Sequence, residues 1–167
     1  MSTILFFSTE SFAQAKKKIN WVSLEEADAL RRTKPRKIMI DVYTDWCGWC
    51  KRMDRTTFVD PKLVEYVNQN YYAVKLDAEQ RETITIGEKK YEYVPKGRRG
   101  YNQIAKELLQ GKMSYPTIVF LDENMNMIQP MPGFREAKEL NPILEYLAQN
   151  AYKETPWEDW IRTFKAK

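Results

Sequence analysis

Histidine is absent from the 167-residue chain, and cysteine occurs only twice. The first absence removes Ser-His-Asp and Cys-His nucleophilic catalysis, together with every metal site that uses imidazole. The second leaves little for sulfur to build. Cys47 and Cys50 lie three positions apart, so a structural disulfide between them would close a very small loop and restrain the unfolded chain little. A zinc site needs about four ligands, and no second cysteine pair exists to complete one, so no metal is expected. Redox chemistry is what remains for the pair. No apolar run approaches the roughly 18 residues that span a bilayer, so no stable membrane insertion is expected. The net charge of +4 is too small and too dispersed to argue for nucleic acid. Internal repeats and low-complexity segments are also missing. The length suits one domain with modest additions. With 43% hydrophobic and 30% charged residues, the composition is that of a soluble globular protein rather than a disordered chain.

Residues 1–15 read differently from the rest. Ile4-Leu5-Phe6-Phe7 is apolar, and Ala13-Gln14-Ala15 precedes Lys16-Lys17-Lys18 in the manner of a signal-peptidase site. The apolar segment is shorter than the usual stretch of about 7–15 residues, and no Lys or Arg precedes it. A start codon assigned too far downstream accounts for both defects. The segment is read as a truncated export signal, with a disordered tail as the alternative. The mature chain then begins near Lys16, and losing Glu10 raises the net charge from +4 to +5. A periplasmic or otherwise exported location is expected, with a cytoplasmic one as the alternative.

What is present is a regular alternation of elements. Ile19-Asn20-Trp21 suits a short strand. Ser23 suits a helix N-cap with Glu26 as its capping-box partner, and the helix should end near Thr33 before Lys34-Pro35. Lys37–Tyr43 is almost continuously apolar, as in a strand buried on both faces, and leads straight into the cysteines. Asp60-Pro61 reads as N-cap and first helical residue, followed by the stripe Leu63, Val64 and Val67. Residues 71–76 form a second long strand. A hairpin is expected over residues 83–94, with its turn at Gly87-Glu88-Lys89, followed by a basic, flexible loop at residues 96–100. A helix should run over residues 101–110 and stop at Gly111. Residues 117–121 form a buried strand, 122–126 a turn and 127–129 a returning strand. A helix through Leu140, Ile143, Leu144 and Leu147 closes the domain, with Asn141-Pro142 as its alternative start. Thr155-Pro156-Trp157-Glu158 opens a last helix that places Trp157, Trp160, Ile161 and Phe164 on one face. That face most simply docks on the domain's own core, and an interaction helix is the lesser reading. The pattern implies a central sheet covered by helices on both faces.

The chemistry follows from where the strand at Tyr43 gives way to a helix at Cys47. The first sulfur stands at a helix N-terminus, beside unpaired backbone N–H groups. That field favours thiolate and lowers a pKa that is about 8.5 in free cysteine. Cys50 lies one turn further in. Cys47 is therefore expected to be the exposed nucleophile that forms a mixed disulfide, and Cys50 the group that resolves it.

The run Ile40-Asp-Val-Tyr-Thr-Asp-Trp-Cys-Gly-Trp-Cys-Lys51 resembles the active-site segment of the thioredoxin family. Tyr115-Pro116-Thr117 resembles its cis-proline segment and Gly133 its late glycine. The likeness is greatest to thiol:disulfide interchange proteins of bacterial envelopes and covers residues 19–150. It leaves residues 80–100, read above as a β-hairpin insertion, and the C-terminal tail unmatched, and implies an α/β thioredoxin fold, a central mixed sheet flanked by helices. The domain spans residues 16–150 and a C-terminal amphipathic helix residues 151–167. It also implies roles. Asp41, six residues before Cys47, matches a buried acid that takes the resolving thiol's proton, the alternative being a solvated strand-end acid. Lys75 matches the lysine paired with that acid, or is an ordinary edge lysine. Pro116 would carry a cis bond and face the cysteines, with the backbone of Tyr115 pairing with an extended substrate. Trp46 matches a flanking tryptophan, or simply packs.

The residues between the cysteines depart from the family's usual Gly-Pro. Gly48-Trp49 supplies no histidine to stabilise a thiolate, which points to a reductase rather than a strong oxidant. The bulky Trp49 implies a partner surface unlike that of cytosolic thioredoxin. The expected activity is dithiol–disulfide exchange with protein or small-molecule disulfides, recharged by an upstream thiol electron donor. No cofactor beyond the Cys47–Cys50 disulfide is expected. The alternative is a non-catalytic adaptor module in which the pair is a redox-sensitive latch. Lys96, Arg98 and Arg99 read as a solvated basic cluster or, with the hairpin, as a rim that selects substrates.

Overall fold

The computed structural model describes residues 17–165, so the export-signal reading of residues 1–15 lies outside the described residues. The chain enters through strand β1 (Trp21–Val22) and helix α1 (Leu24–Thr33). The Ser23 hydroxyl caps α1 by accepting the Glu26 amide at 3.0 Å. Strand β2 (Lys37–Tyr43) is buried along its length except at half-buried Tyr43. Helices α2 (Gly48–Thr56) and α3 (Pro61–Asn70) follow, and Asp60 caps α3 ahead of Pro61 as the sequence predicts. Strand β3 is Tyr71–Asp77.

Two hairpins come next: β4 (Ile84–Ile86) with β5 (Lys89–Tyr91), and β6 (Tyr93–Lys96) with β7 (Arg99–Asn102). The second corrects two expectations. The basic stretch 96–100 is not a flexible loop but the turn of a hairpin, made possible by Gly97 at φ +60°. Tyr101 and Asn102 therefore pair with Val94 and Tyr93 instead of opening a helix. Helix α4 begins later, at Gln103–Leu108, with the Asn102 side chain as its cap.

Strands β8 (Thr117–Leu121) and β9 (Met127–Pro132) precede helix α5 (Ala137–Ala148). Asn141-Pro142 does not start α5. A reciprocal capping pair, Glu136 and Glu139, starts it one turn earlier and leaves Pro142 inside. A 3₁₀ turn at Ala151–Lys153 leads to α6 (Trp157–Lys165). This last helix lies against α5: Trp157 and Trp160 pack on Tyr146 at 5.3 and 5.6 Å, and the Trp160 indole N–H donates to the Pro142 carbonyl. Among the described residues no helix is long and apolar enough to cross a membrane.

The main sheet has the order β1-β3-β2-β8-β9. Strand β2 pairs parallel with β3 and antiparallel with β8, so it occupies the centre. Strand periodicity then sorts its side chains. Ile38, Ile40 and Val42 join Leu24, Val74, Ile104 and Leu108 in the core beneath α1 and α4. Met39 joins Met53, Leu63, Phe120 and Leu144 on the opposite face, beneath α2, α3 and α5. Asp41 shares the face of Met39.

Gly100 fixes how the β6–β7 hairpin sits. A Cβ there would overlap the Tyr93 ring and the Val94 carbonyl oxygen, and a backbone oxygen has little room to give. Gly100→Ala is expected to cost about 1–3 kcal/mol through overpacking and to loosen the hairpin. Thermal denaturation together with amide exchange at residues 93–102 checks this. An unchanged melting temperature and unchanged protection would contradict it.

Candidate active site

Strand β2 ends on Tyr43, and the next residues turn sharply so that Cys47 becomes the N-cap of α2. The turn is closed by the Cys47 amide donating to the Thr44 carbonyl at 3.1 Å. Cys47 Sγ accepts the Cys50 amide at 3.1 Å, taking the place a serine hydroxyl occupies in an ordinary cap. The first turn of α2 carries no acidic residue to offset the positive end of the helix. Cys47 and Cys50 are joined in a disulfide. The expected exposure of Cys47 needs correction: it is 5% exposed, against 1% for Cys50. Its sulfur is bonded to Cys50 and also accepts the Cys50 amide, so in the disulfide form only a narrow window opens onto it.

Two aromatic walls stand beside that window. Trp46 and Trp49 are 50% and 56% exposed, far more than tryptophans used only for packing. Trp46 meets the Tyr115 ring edge-on at 5.9 Å. Its indole N–H donates to Glu79 Oε1 at 3.0 Å, and the Arg99 guanidinium lies over its face at 4.4 Å. Trp49 packs on Phe134 at 5.4 Å, with the Arg52 guanidinium over both rings. The Tyr115–Pro116 bond is cis, and the Pro116 carbonyl accepts the Gly133 amide at 2.8 Å. Gly133 has φ +95°, which accounts for glycine at that position. Burial, followed by the negative charges of Glu79 and Asp77, pushes the Tyr115 phenol up to about 12, so it stays neutral.

Beneath the motif lies a buried charge cluster. Asp41 is fully buried, and the parallel register places Lys75 of β3 directly beside it. Lys75 Nζ donates to Asp41 Oδ2 at 2.6 Å and also to Asp54 of α2. The ammonium is boxed by the rings of Tyr43, Trp21 and Phe58 at 4.9, 5.2 and 5.3 Å. Burial raises the Asp41 pKa and outweighs the opposing pull of Lys75. For Lys75, burial acts downward, but Asp41 and then Asp54 carry it above its ordinary value. Asp41 Oδ1 and Thr44 Oγ1 are the buried side-chain atoms left without a partner among the described residues.

The structure thus brings Asp41 and Lys75 together, and joins Trp46 to Tyr115 next to Pro116. Sequence reasoning missed Asp54, Glu79, Arg52 and Phe134, and read Arg99 chiefly as part of a solvated cluster. Asp54 had a signal, since it lies four residues after Cys50 and so on the same face of α2. Glu79 and Arg99 had none, because their contacts with Trp46 are tertiary.

The family model of the thioredoxin-like domain matches residues 24–148. The chain is 36% identical over 55 residues to the thiol:disulfide interchange protein DsbD of Salmonella typhi, covering 30% of this chain and 10% of that protein. It is 33% identical over 61 residues to DsbD of Escherichia coli K12, covering 34% and 11%. It therefore spans about a tenth of the length of the curated relatives it matches. Among solved structures, a thioredoxin-fold protein from Helicobacter pylori superposes with a TM-score of 0.58 at 18% identity, covering 79% of this chain and 81% of that one. DsbH oxidoreductase superposes with a TM-score of 0.55 at 20% identity, covering 88% and 94%. These two likenesses concern the fold.

The buried carboxyl makes stability depend on pH in a definite direction. Its pKa in the fold lies above the unfolded value of 3.8. The protonated form therefore contributes stability that is complete below that value and lost as pH rises through the folded pKa. At neutral pH the carboxylate is a net burden, and Lys75 keeps Asp54 as a partner without it, so Asp41→Asn should stabilise the protein near pH 7. The gain should fade as pH falls towards about 4. Thermal melts across that range decide it, and a variant no more stable than wild type near neutrality would contradict it.

Proposed function

The chain belongs to the thioredoxin-like family of thiol–disulfide oxidoreductases, and from that premise we propose that it acts as a reductase of protein disulfides. The reading is carried by Cys47 Sγ in the N-cap position of α2, accepting the Cys50 amide. In the reduced protein that amide and the helix end favour the Cys47 thiolate. The thiolate attacks one sulfur of a substrate disulfide. A Cys47–substrate bond forms, the substrate S–S bond breaks, and the departing sulfur takes a proton. Asp41, with its unpartnered buried oxygen, accepts the Cys50 proton. The Cys50 thiolate then attacks Cys47 Sγ, re-forming the Cys47–Cys50 disulfide and releasing the second substrate thiol. The substrate gains two electrons and the dithiol loses them. An upstream thiol donor restores the dithiol.

Lys75 holds Asp41 in place, and Trp46 and Trp49 flank the incoming chain. Among the described residues neither the N–H nor the C=O of Tyr115 takes a hydrogen bond, which favours pairing with an extended substrate beside cis-Pro116. The reductive direction is supported by the lack of histidine, which leaves the helix end as the main stabiliser of the thiolate. A single modest stabiliser suits a low potential. An exported location is proposed from Ala13-Gln14-Ala15.

Insulin-disulfide reduction driven by dithiothreitol should be accelerated by wild type, and Cys47→Ser should return it to the rate of dithiothreitol alone. Equal rates would favour a non-catalytic adaptor. The reduction potential should lie near thioredoxin's, about −270 mV, and a value towards about −120 mV would overturn the direction.

A further inference from the structure

A cleft of about 260 Å³ opens between the β6–β7 hairpin and the segment leading to Pro116. Lys96, Arg99 and Lys106 line it, over a floor that includes Tyr101, Met113 and Tyr115. Its lining contains three cations and no carboxylate. Among the described residues none of the three enters a salt bridge. Asp77 and Glu79 set a negative edge on the Tyr115 side of the cleft, away from its three cations, and Glu107 beside Lys106 is already paired. Glu79 accepts the Trp46 indole N–H, and Glu107 accepts Lys89 at 2.6 Å. Arg99 lies on Trp46 and Lys106 near the Tyr101 ring, contacts that hold both cations in place without neutralising them.

The cleft is continuous with the reaction site through two residues. Tyr115 lines it and precedes cis-Pro116, and Trp46, stacked under Arg99, precedes Cys47. An extended chain advances about 3.3 Å per residue, so roughly two to four residues carry a substrate from the sulfur past Trp46 to Arg99. We propose that this cleft is a specificity subsite for an Asp or Glu side chain borne by an extended protein substrate a few residues from its reacting cysteine. The inference rests on the exchange reading above. Lys96, Arg99 and Lys106 receive the carboxylate, and Met113 and Tyr115 pack on the side-chain methylenes.

Two fluorogenic peptide disulfides test it, identical except for Asp or Lys in the third position from the cysteine. At low salt, wild type should reduce the Asp peptide with a kcat/KM about fivefold higher. The ratio should fall to about one in roughly 0.5 M salt and in the exposed double variant Lys96→Glu/Lys106→Glu. A ratio near one in wild type, or one that survives in the variant, overturns the proposal. Failure on both peptides and on neutral hydroxyethyl disulfide would sink the exchange reading instead. The cleft is then judged by NMR titration with the same peptides carrying serine for cysteine. Shifts at Lys96, Arg99 and Lys106 with the Asp peptide alone support the subsite, and their absence overturns it. An equal response to inorganic phosphate at the same ionic strength also overturns it, in favour of a small-anion site.

Discussion

The position of β2, paired on both edges, governs nearly everything else. Parallel pairing with β3 and antiparallel pairing with β8 remove it from solvent and fix its register. Period-two alternation then leaves no freedom over which residues face which layer. A one-residue slip would turn Asp41 into the core that holds Ile40 and Val42, and Lys75 would no longer stand beside it. The same strand delivers Cys47 to the first turn of α2. The buried carboxyl below and the capping sulfur above are therefore two ends of one constraint.

Charge around the disulfide is arranged by type as much as by distance. The positive end of α2 acts on Cys47 directly. Arg52 and Arg99 each lie over an indole, and flank the window without forming ion pairs across it. The acids gather on the side of Trp46 and Tyr115, where burial, then Glu79 and Asp77, keep the tyrosine protonated. A thiolate formed at Cys47 thus meets helix dipole and aromatic edges before it meets a counter-ion.

Much of this was legible because the signals are local. Ser23 and Asp60 cap helices through their own side chains, and the apolar run at residues 37–43 leaves few alternatives to a buried strand. The cysteine spacing and the missing histidine pointed to the chemistry, and the family resemblance supplied Asp41, Lys75 and Pro116. Part of what failed was non-local. Lys96-Gly-Arg-Arg-Gly100 has the composition of a loop, yet Gly97 turns it and Gly100 lets the strands close on Tyr93. The alternative start at Asn141-Pro142 failed for a local reason, since the capping pair Glu136 and Glu139 opens the helix one turn earlier. Glu79 and Arg99 became part of the site only when the chain brought them to Trp46.

Lys75 shows why such a cluster is worth keeping. A lone buried carboxylate beside a resolving thiol would hold its proton too tightly to pass it on, while one fully paired with a lysine would scarcely accept it. The arrangement lies between these limits. Lys75 engages one oxygen of Asp41 and leaves the other free. Its ammonium is shared with Asp54, whose side chain is 42% exposed, so the buried acid is linked through one cation to a carboxylate in contact with water. Three aromatic rings hold that cation where neither oxygen alone would fix it. Asp41 keeps a pKa raised by burial and moderated by Lys75, the balance that the proton transfer proposed above would use.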